Sequence, residues 1–245
     1  MCAGRAAGSL DGVTITRMVP GRWVEGTGAV LGPPLLIAGA LARIGEDDFF
    51  PGQLAAYAAD PGRMAVSYAL FTAGVVLLWP AATGLARRIA ATHPGLARWG
   101  ATLVALGLFG RVFHAGVSHL AFQLVDVLGL EAARRAVADT YGAFHVFKAV
   151  SVCIMAGWVV LAIGAYRSKA LGTFRCVALA LGSALPLGVL KGTSDPISLA
   201  ALAGLAVALV PFGVGVLKNG PAPRWWAVAL TVALVPGAYV LGTYG

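Results

Sequence analysis

The sequence predicts an all-α, polytopic integral membrane protein: a seven-transmembrane-helix bundle, N-terminus inside and C-terminus outside, with two short outer interfacial helices. Three observations carry that prediction, namely an apolar composition, seven apolar runs of spanning length and an uneven placement of basic residues. Of 245 residues, 59% are hydrophobic and 11% charged, with a mean hydropathy of +0.83. A soluble domain is about half apolar and about a quarter charged, so this chain carries more apolar surface than a water-soluble fold can hide. In a soluble protein the net charge of +8 would point to nucleic acid. Here loop topology accounts for it, and no nucleic-acid partner is expected.

A hydrocarbon layer about 30 Å thick takes about 20 apolar residues in helical form. Runs of that kind lie near residues 24–43, 64–86, 99–127, 143–166, 172–191, 196–217 and 225–243. The third is long enough to tilt or to project beyond the bilayer. Residues 1–22 contain no apolar core and read as a flexible cytoplasmic N-terminus rather than a cleavable signal peptide. Met18 offers an equally good start. Residues 23–245 then form a single transmembrane domain.

Basic residues set the orientation. With the N-terminus cytoplasmic, eleven Lys and Arg fall in inside segments and five in outside ones, the bias expected of cytoplasmic loops. The acids Glu46, Asp47, Asp48, Asp60, Glu131, Asp139 and Asp195 all fall outside. Only Arg111 and Lys148 remain within spans. The outer segments 46–60 and 131–142 are amphipathic and read as helices lying on the membrane surface. They are placed to cover an outward-facing cavity. Pro33, Pro34, Pro80, Pro186, Pro211 and Pro236, in or near spans, favour an irregular bundle. Fourteen Arg against four Lys, with abundant Ala and Gly, suggest GC-rich, bacterial coding and hence a multi-pass protein of the inner (plasma) membrane.

The third run carries the chemistry. RVFHAGVSHLAFQLVD (111–126) holds Arg111, His114, Ser118, His119, Gln123 and Asp126. At about 100° per residue these fall within half the helix circumference, leaving Phe113, Val117, Leu120 and Leu124 opposite. The start of the fourth run adds Tyr141, His145 and Lys148 on one side. Ionisable groups cost at least about 2.5 kcal/mol each in hydrocarbon, so they are paired or functional. A purely structural reading pairs Asp126 with Lys148 and lets Arg111 cap carbonyls. The number of converging groups favours instead a water-accessible cavity between the third and fourth spans.

The expected function is acid–base catalysis, such as isomerisation or cyclisation, on a lipophilic small molecule entering from the membrane lipids. His119 and Asp126 would form the acid/base pair and His145 the second proton carrier. Arg111, His114, Gln123, Tyr141 and Lys148 would bind substrate or stabilise charge. A proton-coupled transporter, exporter or self-resistance protein uses the same parts. A third class is a redox protein with haem held by His119 and His145. No cofactor is expected, since dinucleotide, P-loop and GxSxG patterns are absent. Nor is a metal: Cys2, Cys153 and Cys176 form no ligand motif, and His114 and His119 are five residues apart rather than four.

Overall fold

The computed structural model describes residues 21–46, 50–141, 146–150, 152–184, 196–219 and 221–243. The elements are α1 (Arg22–Ala42), α2 (Phe50–Ala59), α3 (Pro61–Ala90), α4 (Pro94–Leu128), α5 (Leu130–Tyr141) and α6 (Val146–Val150). They continue with α7 (Cys153–Arg167), α8 (Thr173–Ala180) running into a 3₁₀ turn (Leu181–Ala184), α9 (Pro196–Lys218) and α10 (Trp225–Thr243). Every described element is helical.

Four helices, α1, α3, α4 and α9, are long and apolar enough to cross a membrane. α7, α8 with its 3₁₀ turn, and α10 are apolar but shorter in their uninterrupted stretches. Among its described residues the expected run 143–166 holds α6 and α7, with Val152 a turn residue just before α7. Within the run 172–191, helix α8 passes at Leu181 into 3₁₀ geometry that extends to Ala184; residues 185–191 lie outside the described residues. The amphipathic segments expected at 46–60 and 131–142 are helical as α2 and α5.

Six helices close into a ring: α1 packs on α3, α3 on α4, α4 on α7, α7 on α8, α8 on α9, and α9 back on α1. Its core is continuous, with Leu36, Leu78, Leu85, Trp158, Leu161, Leu202 and Leu205 all fully buried. In a membrane the hydrophobic effect does not drive helices together, so close packing must, and small residues permit it. The α1–α3 contact shows this directly. A Cβ on Gly39 would lie 2.7 Å from the Phe71 nitrogen, and one on Gly74 would lie 2.8 Å from the Gly32 oxygen. Ser67 Oγ, fully buried, donates to the Gly39 carbonyl across the same seam at 2.6 Å.

At the other end of that seam Glu25 is buried and ion-paired with Arg87. Gly84 makes room for the carboxylate, because a Cβ there would meet Glu25 Oε2 at 3.0 Å. The opposite end of the ring is capped. α2 and α5 pack on each other and on the ends of α3 and α4, forming a second core of Leu54, Tyr57, Met64, Ala121, Phe122, Val125 and Ala133. Arg63, at the start of α3, ties that helix to the end of α1 and the turn after it: it donates to the Ala42 carbonyl at 2.6 Å and pairs with Glu46 at 2.8 Å. Its own N–H is received by the Asp60 cap of α3.

Candidate functional site

The polar residues of α4 divide into two sets. Ala121, Phe122 and Val125 are its buried face near the cap. On the helical wheel Arg111, His114 and Ser118 share that side and are half-buried, whereas His119, Gln123 and Asp126 point away from the ring and are exposed. The polar half expected from the sequence is therefore split: one edge faces the interior and the other faces outward.

Arg111 lies at the midpoint of α4. It lines a small, partly open cavity of about 20 Å³ with Leu36, Phe71, Val75, Leu78, Leu108 and Ile154. The cavity sits where α1, α3, α4 and α7 meet, and among the described residues Arg111 is its single polar lining residue. As it stands it has room for about one water. His114 donates from Nδ1 to the Gly110 carbonyl one turn back at 2.6 Å, with its ring edge-on to Phe113.

Asp126 is held from the cap. Tyr57 Oη donates to Asp126 Oδ2 at 2.7 Å. The Tyr57 ring stacks on Phe122 at 4.6 Å, and Tyr68 meets Phe122 edge-on at 4.9 Å. Arg43, buried, lies over Tyr68 at 4.7 Å and over Phe71 at 4.9 Å. Because Phe71 also lines the Arg111 cavity, a continuous column of aromatic and cationic side chains runs from Asp126 to that cavity. The Asp126 carboxylate beside Tyr57 raises the phenol above its usual range, since ionising it would lose the hydrogen bond; burial and the charge on Asp126 act the same way.

His119 and Asp126, seven residues apart and so about 10 Å along the axis, are not joined by a hydrogen bond or ion pair among the described residues. Asp126 takes Tyr57 instead. Tyr141 ends α5 and Lys148 lies within α6; His145 is outside the described residues, and with it the second histidine of a haem or relay. Among the described residues, no three His, Cys, Asp or Glu side chains converge as a metal site requires.

Sequence reasoning missed Tyr57, Arg43 and Tyr68. Tyr57 follows Leu54 by three residues and so belongs to the buried side of α2, where a hydroxyl needs a partner. Arg43 is one of the five basic residues expected outside, yet its guanidinium lies over the rings of Tyr68 and Phe71. No protein-family model matches the chain, no curated protein matches it and no solved structure matches it, so its function must be read from these residues.

Proposed function

We propose that the chain is a seven-span membrane enzyme, N-terminus cytoplasmic, that performs proton-transfer chemistry on a lipophilic small molecule at the capped end of α4. The observation that carries this reading is the Tyr57–Asp126 hydrogen bond, on an edge of α4 that stays exposed beside a covered apolar core. In it Asp126 accepts the proton and Tyr57 orients the carboxylate; His119, one to two turns below, and His145 carry protons onward. Gln123 lies between His119 and Asp126 and binds substrate polar groups. Tyr141, Lys148 and His114 are secondary contacts, and Arg111 supplies positive charge from within the ring. A lipophilic substrate reaches such an edge laterally from the bilayer, so the enclosed volume need not be large.

Cysteine scanning in intact cells tests the reading. His119→Cys and Gln123→Cys, placed in a chain with Cys2, Cys153 and Cys176 replaced, are treated with a membrane-impermeant thiol reagent. Labelling from outside supports a water-accessible, outward-facing edge; protection of both positions would sink it. Mass spectrometry of lipophiles retained by the wild type and by Asp126→Asn then separates enzyme from transporter: a substrate–product pair that collapses to one species in the variant marks chemistry, whereas one unchanged species in both marks carriage.

A further inference from the structure

We infer that the Arg111 cavity binds the carboxylate of a single-chain lipophile whose tail leaves through the cavity's open side into the bilayer. This rests on the reading that the chain handles a lipophilic small molecule, and it adds the charge and shape of that molecule.

Placement is the first argument. Arg111 is the central residue of the 35-residue helix α4, about 25 Å from either end at 1.5 Å per residue. A charge at that depth is costly and calls for a partner. Among the described residues Arg111 makes no hydrogen bond or ion pair, and the other six lining residues are apolar. Among the described residues no carboxylate lines the cavity. Arg43 lies over the ring of Phe71, which lines the cavity.

Size and depth then select the anion. A guanidinium offers parallel N–H groups that match a planar carboxylate. A space of about 20 Å³, open on one side, is too small for a phosphodiester headgroup and admits at most the head of a small planar group. Such headgroups also reside at the interface, whereas Arg111 is halfway along the longest helix. A fatty-acid-like molecule presents its carboxylate to Arg111, and its tail leaves through the open side of the cavity.

The test uses the full chain purified in non-ionic detergent and three photoreactive probes of one chain length: an acid, its methyl ester and the matching primary amine. Cross-linked peptides are mapped by mass spectrometry. The expected result is labelling of the α3 and α4 lining peptides in the order acid, ester, amine, with the acid ahead of the ester by about tenfold. Arg111→Gln should bring the three probes together. The wild-type series alone decides the sign of the charge should that variant not fold. Equal labelling by acid and ester overturns the carboxylate site while leaving a lipophile-binding protein. Failure of all three probes to label these peptides overturns the site, and labelling confined to the Asp126 end of α4 would do so while leaving the lipophilic-ligand reading in place. Acid preference that persists in Arg111→Gln overturns the assignment to Arg111.

Discussion

The hydroxyl of Tyr57 and the carboxylate of Asp126 meet at 2.7 Å although 69 residues separate them, and that bond joins a cap helix to the last turn of the longest helix in the ring. Tyr57 is only 7% exposed, so its hydroxyl has little access to other partners. Tyr57→Phe removes the donor and leaves the stacked ring in place. A hydrogen bond to a charged group contributes about 1.5 kcal/mol or more, so the variant should unfold several degrees lower in detergent. Amide exchange should rise in α2 and α5 before it rises in α9, because the cap opens first. Unchanged exchange in the cap helices would show that the bond is incidental.

The same bond sets a pH dependence. Tyr57 has a folded pKa above its ordinary value of 10.0. A raised acid is protonated in both states at lower pH, where its stabilisation is fully present. Stability is then lost as pH rises from the unfolded value through the folded one. An ultraviolet tyrosinate titration should therefore show one late-ionising phenol in the wild type. That step should vanish in Tyr57→Phe and move to lower pH in Asp126→Asn, where the carboxylate is gone. A Tyr57 that titrates with the exposed tyrosines would contradict the hydrogen bond.

Much of this architecture is legible in composition, and the limit of legibility is physical. Each of the seven apolar runs holds helix, because hydrocarbon-length apolar sequence leaves the backbone few other ways to satisfy its polar groups. The breaks are less legible. Residues 143–166 read as one run, yet Val152 is a turn residue and α7 starts at Cys153, and no proline or charge stands at either position. The site shows the same limit. Periodicity placed Arg111, His114, Ser118, His119, Gln123 and Asp126 on one half of α4, which is correct for the isolated helix. Which part of that half faces inward depends on where Phe122 and Val125 pack against α2 and α3, and that is a long-range fact. The Tyr57 contact to Asp126 is equally long-range, so no local pattern announces it.

Close approach at Gly39 gives a sharper prediction. A methyl group there meets backbone atoms of Ser67 and Phe71 at 2.7 Å, and backbone cannot rotate aside. Gly39→Ala should destabilise by about 1–3 kcal/mol through overpacking and should weaken the Ser67 hydrogen bond as the helices separate. Gly116→Ala is the control. It is helical, and nothing lies within 4 Å of its added Cβ, so it should be neutral or stabilising by up to about 1 kcal/mol. Comparable losses from the two would mean that α1–α3 contact does not limit stability.

The ion pair of Glu25 and Arg87 predicts non-additivity. The Glu25 side chain is 3% exposed and that of Arg87 is 35% exposed, so the carboxylate depends on this partner more than the guanidinium does. Arg87→Gln leaves a buried, unpaired carboxylate and should cost about 3 kcal/mol, the lower end for broken buried pairs because Arg87 reaches water. Glu25→Gln should cost less, and the double variant should recover part of the Arg87→Gln loss. A double-mutant cycle by denaturant unfolding in detergent measures the coupling. Additive losses would show that the pair is already screened.

Lys169 supplies a prediction of opposite sign. It follows the end of α7 with φ of 56°, in the left-handed region that glycine adopts freely and other residues enter at a cost of about 1–2 kcal/mol. The turn is otherwise well bonded, for the Ser168 and Ala170 amides donate to the Gly164 and Ala165 carbonyls at 2.9 Å. The native backbone is thus imposed by the helix end and not by the lysine side chain. Lys169→Gly should relieve the strain, while the added freedom of the unfolded chain offsets part of the gain. A net stabilisation of about 0.5–1 kcal/mol is expected, read as a small rise in Tm. Removing the charge alone, with Lys169→Ala, keeps the strain and should bring no such rise. A gain from Ala equal to that from Gly would assign the effect to charge repulsion with Arg167 rather than to the backbone.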